Sequence, residues 1–538
     1  MTGIKFWLRK VTKTWRQLLV TGGTVLAIGA CGPGLDSLGP FSIGGEITGL
    51  TGTDRVVLQN NSGDDLTFTG SGSFTFSTLV PTDGAYVVTV RTQPTGMVCT
   101  VSNGSGTAKA DVTTTSVQCG APWTGTKQLG VAGEVTQGLS VAVDASGNVY
   151  VAGYTTGALS TNPAGHANTL TGNTDFFVTK IDIGGNVKFT QQLGAPGADT
   201  YGNAVALDSS GNVYVAGGTS GSLDTNQLAG TSDFFVTKYN SNGVKQHTQQ
   251  SGFTGKEYFG WAVAIEPSGN LYVAGDVYDG VVTSGFFVTK YDSNWAAPFA
   301  EQGGVSGFNT NARSVAVDAG GNTFYVTGYT AGDLAGVQKT GTTDAFLTKY
   351  VTSPSTTTVS TRLLGVAGAV TQGNSVAVDG GGNVYVAGYT AGDLAGIQKA
   401  GTNDAFFTKY DSVGNSTTRL LGVANGDTRA TSVAVNASGT VVYVAGYTTG
   451  ALGIKPGGQS NTRTGTTDAF ITKYDISDGS VYTQLLGVST ADTRATAVAV
   501  DTDGNVFLAG YTDGGLNGAP TGTSDFFVAK YNSSFVKQ

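Results

Sequence analysis

Along most of this chain, apolar runs of about five to eight residues alternate with polar turns built from Gly, Asp and Asn. The stretch SVAVDGGGNVYVAGYT, Ser375 to Thr390, is representative and reads as two short strands around a tight turn. Near-copies recur seven times. Their reference valines are Val141, Val205, Val263, Val315, Val376, Val433 and Val498, spaced by 64, 58, 52, 61, 57 and 65 residues. A period near 60 residues with strand patterning inside each unit predicts a β-propeller of seven blades rather than a helical solenoid.

Each unit carries four strand-like phrases: SVAVD (a), NVYVAGYT (b), DAFFTKYD (c) and TQQLG or TRLLG (d). Apolar residues of both parities in b and c suit sheets buried on both faces. The last unit stops at Ser524–Asn532 without a d phrase, and one appears instead before the first unit, as TKQLG at Thr126 to Gly130. The expectation is a ring closed by its N-terminal strand, with no open sheet edge.

The first 120 residues follow different patterns. Residues 1–30 hold a basic region (Lys5, Arg9, Lys10, Lys13, Arg16) and a short apolar stretch, Leu18 to Ile28, which reads as a secretory signal rather than a membrane span. The sequence Ile28-Gly29-Ala30-Cys31 resembles a bacterial lipobox, which implies lipidation at Cys31, and Gly32 after it points to the outer membrane; the cell surface is the expected side, which the sequence leaves open. Residues 31–40 read as a lipidated tether and 41–120 as a compact module of seven short strands, an immunoglobulin- or transthyretin-like β-sandwich. The propeller then occupies 121–538. With Cys31 acylated, Cys99 and Cys119 remain to pair as a disulfide, as export permits.

Composition narrows the function classes. With 83 Gly and 12% charged residues the chain suits many short strands and turns. Removing the five cations of 1–30 takes the formal charge from −8 to about −13, which argues against nucleic acid and against direct docking on anionic lipid.

The phrases GNVYVAGYT (Gly382–Thr390) and TDAFLTKYV (Thr343–Val351) resemble the SBBP β-propeller repeat of exported bacterial proteins, over about residues 121–538. That resemblance implies fold and export, and it lends no catalytic residue or cofactor.

Candidate chemistry is sparse. The a–b turns, from DASGN (144–148) to DTDGN (501–505), read as Asp and Asn satisfying turn amides, with Asp501 and Asp503 the least unsuitable place for calcium. Six strand-c aspartates (Asp175, Asp233, Asp344, Asp404, Asp468, Asp525) and the strand-c lysines recur too regularly for a unique reaction, and are expected to cap loops and pack along the outer blades. The only histidines, His166 and His247, lie in different units and make neither a zinc set nor a triad.

Recognition is expected where the symmetry breaks, on the face carrying the long b–c loops. The position four before each reference Val gives a candidate binding ring: Gln137, Tyr201, Phe259, Asn311, Gln372, Arg429 and Arg494. The third unit departs most, and Tyr258, Phe259 and Tyr278 form a candidate aromatic patch on the same face. Trp261 shares the parity of Val263 and is expected between blades. The reading is a non-catalytic, lipid-anchored envelope protein with a monomeric propeller, binding a protein or glycan without a cofactor. The alternatives are a structural scaffold without a discrete ligand and, more weakly, a propeller hydrolase or lyase.

Overall fold

The computed structural model describes residues 39–50, 55–159, 168–279, 284–297, 299–352 and 357–538. The signal segment 1–30, Cys31 with the tether up to residue 38, and His166 lie outside the described residues. Among the described residues the protein is all β, with nine four-stranded sheets and no helix.

Residues 43–120 form two of these sheets. One runs Gly72–Thr75, Ile43–Thr48, Val112–Gly120, Val98–Ser102; the other runs Gly63–Phe68, Val56–Asn60, Ala85–Thr92, Ser105–Thr107. The sequence pattern foretells seven strands here; the eighth, Ser105–Thr107, has no apolar residue to announce it. Alternating side chains from both sheets, among them Ile43, Ile47, Leu58, Phe76 and Val117, meet in one core. Cys99 and Cys119 stand opposite each other on neighbouring strands and are joined as a disulfide.

The remaining seven sheets follow in chain order, at 136–193, 200–251, 257–303, 310–364, 371–421, 428–486 and 493–531. Each is an antiparallel meander of strands a to d. The seventh takes its fourth strand from the front of the chain: Lys127–Leu129 pairs with Asp525–Tyr531. Strands b and c are buried along both faces, as Val149–Thr155 and Asp175–Ile181 illustrate, because neighbouring sheets cover both sides. The first and seventh sheets share a core cluster in which Val141, Val151 and Phe177 meet Phe507, Ala509 and Phe526. Within it Phe177 stacks on Phe526 at 5.0 Å.

Three recurrent devices account for the repeated letters. In the a–b turn, Asp144 accepts hydrogen bonds from the Ser146 and Asn148 amides and from the Tyr150 hydroxyl, and the Lys180 ammonium lies 5.2 Å from the Tyr150 ring centroid. Asp208 and Asp379 do the same with Tyr214 and Tyr385. At the b–c loop, the strand-c Asp accepts from two backbone amides: Asp404 from Ala400 and Gly401, Asp175 from Thr171 and Gly172. The glycine ending strand d leaves room for that carboxylate, since a Cβ on Gly422 would fall inside Asp404 and one on Gly194 inside Asp175. Thr pairs such as Thr371–Thr390 and Thr408–Thr418 bond hydroxyl to hydroxyl across the strands.

Candidate functional site

Every strand a contains a β-bulge at the same step, one residue beyond a Gly or Ala. The extra residue shifts parity, so a side chain that counting by twos would place between sheets turns inward. The seven bulged residues are Leu139, Asn203, Trp261, Arg313, Asn374, Thr431 and Thr496, and together they line one cavity of about 340 Å³. Sequence reasoning missed this set. Its signal is the small residue before each one: Gly138, Gly202, Gly260, Ala312, Gly373, Ala430 and Ala495.

Trp261 corrects an expectation accordingly. It is not core between sheets but the bulged residue of the third, half-buried at the cavity wall. Four of the bulge residues stitch their sheet to the next. Asn203 donates to the Gly260 carbonyl, Asn374 to that of Ala430, Thr431 to that of Ala495, and Thr496 to that of Gly138 in the first sheet.

The candidate ring at position −4 lies two residues earlier, within the strands. Gln137, Tyr201, Phe259, Asn311, Gln372, Arg429 and Arg494 pair with Tyr154, Gly218, Asp276, Tyr329, Tyr389, Tyr447 and Tyr511. Several reach back over the preceding sheet. Tyr201 meets Tyr154 edge-on at 4.9 Å, and the Arg429 and Arg494 guanidinium groups lie 4.4 and 4.6 Å from the Tyr389 and Tyr447 ring centroids. Phe259 fills the space over Gly218, where a Cβ would come within 2.7 Å of its ring. Asn311 is buried and donates to the Tyr278 hydroxyl at 3.3 Å.

Together these residues form a half-buried collar of phenols and cations. Burial raises the Tyr154, Tyr389 and Tyr511 phenol pKa values, and neighbouring hydroxyls push the same way: Tyr201 and Tyr511 on Tyr154, Tyr447 and Tyr329 on Tyr389, and Tyr447 on Tyr511. Each arginine of the DTR phrases is held by its own loop: Arg429 Nε donates to Asp427 at 2.9 Å and Arg494 Nε to Asp492 at 2.9 Å.

The aromatic patch divides. Phe259 and Tyr278 face each other edge-on at 6.3 Å at the collar, both partly exposed. Tyr258 does not join them: it is only 2% exposed, packs between Phe234 and Phe287, and its hydroxyl accepts from Gln302. The cause is again the strand's alternation, which sends neighbours 258 and 259 to opposite faces. Asp501 accepts from the Asp503 and Asn505 amides and the Asn505 side chain. Among the described residues no three His, Cys, Asp or Glu side chains gather as a metal site. His247 packs on Trp295 at 4.3 Å, far along the chain from any bulge residue of its own sheet.

One sector departs from the rest. Where five sheets place Tyr at the collar, the third places Asp276, fully buried. Its Oδ2 accepts from the Trp261 indole N–H at 2.7 Å and lies 3.6 Å from Arg313, while Oδ1 has no hydrogen-bond partner. Burial pushes this carboxyl up to about 6, against the opposing pull of Arg313, Asn311 and Trp261.

Comparison with known proteins agrees on the repeat. The model of the SBBP β-propeller repeat matches residues 125–159, 188–224, 361–395 and 481–517. The regulatory protein FlaEY of Caulobacter vibrioides is 27% identical over 430 residues, a match covering 71% of this chain and 43% of FlaEY. The chain therefore spans less than half the length of that relative. Among solved structures, a protein of unknown function from Dyadobacter fermentans aligns over 75% of this chain and 99% of its own, at 13% identity and a TM-score of 0.35. Polysaccharide lyase Uly1 aligns over 74% and 90%, at 10% identity and a TM-score of 0.39. With strands that repeat the same four phrases and four segments that match the repeat model, the chain is a protein built with SBBP β-propeller repeats.

Proposed function

We propose that the seven sheets are the blades of one closed propeller, and that it serves as a non-catalytic binding protein of the cell envelope that recognises a glycan through its long-loop face. Support for closure comes from the Lys127–Leu129 pairing, which ties the front of the chain into the last sheet, and from the Thr496 bond to Gly138 and the Tyr154–Tyr511 proximity, which join the last sheet to the first. Export and a lipid anchor at Cys31 rest on the N-terminal sequence, and a disulfide-bearing module at 41–120 accords with an oxidising compartment. On this reading that module is a stalk and the propeller is monomeric.

The observation that carries recognition is the collar: half-buried phenols interleaved with Arg429 and Arg494 around one mouth. Aromatic faces and rigid donors on a fixed ring bind sugars at low entropic cost. The scaffold reading keeps one observation in its favour, because Asp427 and Asp492 already hold both arginines. An immobilised-glycan array probed with the purified chain separates the two. Saturable binding to one glycan class, weakened at least tenfold by Arg429→Gln with Arg494→Gln, is the expected result. An array without a hit overturns glycan recognition and leaves the scaffold.

A further inference from the structure

The cavity lined by the bulged residues is not uniform. Asn203, Asn374, Thr431 and Thr496 spend donors on carbonyls of the next sheet, which leaves the Asn203 and Asn374 amide oxygens free to accept. Leu139 and Trp261 supply apolar wall. Arg313 alone brings charge. Its guanidinium lies 4.7 Å from the Trp261 centroid and 5.6 Å from that of Tyr329, and it makes one long hydrogen bond, 3.4 Å to the Tyr329 hydroxyl. A guanidinium carries five N–H donors, so most of this one's are unspent. The ion pair with Asp276, at 3.6 Å, fixes the group without using it up.

A bulge position that served packing alone would carry the same small polar residue in every sheet. Here adjacent sheets instead carry a Trp and an Arg that stack on each other, and a buried carboxylate with an unpartnered oxygen stands behind them. That third-sheet acid takes the place of a Tyr for no evident structural gain, since burying a charge with incomplete hydrogen bonding costs stability.

We propose that this cavity binds a small hydroxylated carboxylate, a sugar acid, with its carboxylate on Arg313, its ring against Trp261 and Leu139, and its hydroxyls donating to Asn203 and Asn374. The proposal rests on the preceding reading of the collar as a glycan-facing mouth and names the acidic sugar unit that the mouth admits. Guanidinium groups match carboxylates in a planar, two-point geometry, and stacked aromatic faces keep them oriented for it.

The buried acid then sets the strength of the site. The groups facing Asp276 are Trp261 on its own sheet's first strand, Tyr278 on its own strand, Asn311 and Arg313 on Thr310–Val317, and Tyr329 beyond them. Above pH of about 6 the ionised Asp276 offsets Arg313; below it the protonated acid does not. Binding of an anion whose own carboxyl stays ionised should therefore strengthen by about three- to tenfold between pH 7.5 and 5.5.

The test is titration of the whole purified chain with D-glucuronate and, separately, with D-glucose, followed by calorimetry and tryptophan fluorescence. The expected result is saturable glucuronate binding at least tenfold tighter than glucose, strengthened by acid and lost in Arg313→Gln. Leu139→Trp, which fills the cavity from the opposite wall and leaves the Arg313 stack in place, should abolish binding as well and stands in if Arg313→Gln fails to fold. Equal binding of the two sugars, or glucuronate binding that survives both variants, overturns the proposal. No glucuronate binding beside a positive polymer array overturns this inference alone, and silence in both overturns the collar reading with it.

Discussion

The third and fifth sheets are built from the same plan and spend it differently. In the fifth, Thr371 and Thr390 pair at the rim, Tyr389 stands at the collar, Asp404 caps the b–c loop, and Gly422 makes room for that carboxylate. In the third, Tyr258 and Val277 replace the Thr pair, Asp276 replaces the Tyr, and Gly285 replaces the cap. With no carboxylate to accommodate, Gly304 lies against the Gly285 backbone instead. Both sheets nevertheless bury strands b and c to the same depth. The difference teaches which repeat positions hold the fold and which are free: the strand centres are fixed by their neighbours, whereas the loop-face rim tolerates a wholly different set of groups.

The largest expected effect attacks the Gly–Asp pairing in the regular sheet. Gly422→Ala forces a methyl into the Asp404 carboxylate, and moving that carboxylate breaks two loop hydrogen bonds, so a loss of about 4 kcal/mol or more in denaturant unfolding is expected. The comparison sharpens when the cap is removed as well. In Gly422→Ala with Asp404→Gly, the regular sheet takes the third sheet's residue at the cap, and the double change should cost clearly less than the two singles added together. Strict additivity would show that the glycine serves something other than the cap.

Next in size is the cap itself. Asp404→Ala leaves the Ala400 and Gly401 amides without their acceptor in a closed loop, at a cost of roughly 3 kcal/mol. Ser284→Ala, beside the cap position that Gly285 fills in the third sheet, removes a single hydroxyl bond to Asn311 and should cost about 1 kcal/mol. Equal losses would break the contrast between the two sheets.

How much of this was legible follows from what repeats. Seven copies of one phrase carry the sheet count, strand order and N-terminal fourth strand, because each is fixed by apolar runs and turn residues that recur. The inward set was illegible because a bulge adds one residue without changing a letter of the pattern, so Trp261 kept the parity of Val263 in sequence and lost it in space. Tyr258 misled for the opposite reason: its alternation was intact, but only the packing of Phe234 and Phe287 tells which side is buried. The phrase GDVYDG marked the third unit as different, yet nothing in it pairs Asp276 with Arg313, a residue 37 positions away on the next sheet.

One further effect isolates the third sheet from all others. Asp276 is pushed up to about 6 in the fold from an ordinary value of 3.8, chiefly by burial. Between those two values the folded protein holds a proton that the unfolded chain has released, so stability falls as pH rises from about 4 to about 6 and is level above. The contribution is on the order of 2 to 3 kcal/mol across that window. Other acids tilt the opposite way, Glu266 and Asp379 being held below their ordinary values by hydrogen bonds that outweigh burial, so the whole-protein curve mixes both signs. Asp276→Asn removes this one titration and keeps an acceptor for the Trp261 indole. Unfolding free energies of the two proteins, measured from pH 4 to 8, should therefore diverge as pH rises, with the Asn variant gaining on the parent up to about pH 6 and the gap constant beyond. Parallel curves would mean that Arg313 already holds Asp276 ionised throughout, and the third sheet's acid would then be an ordinary ion pair rather than a buried group kept at a cost.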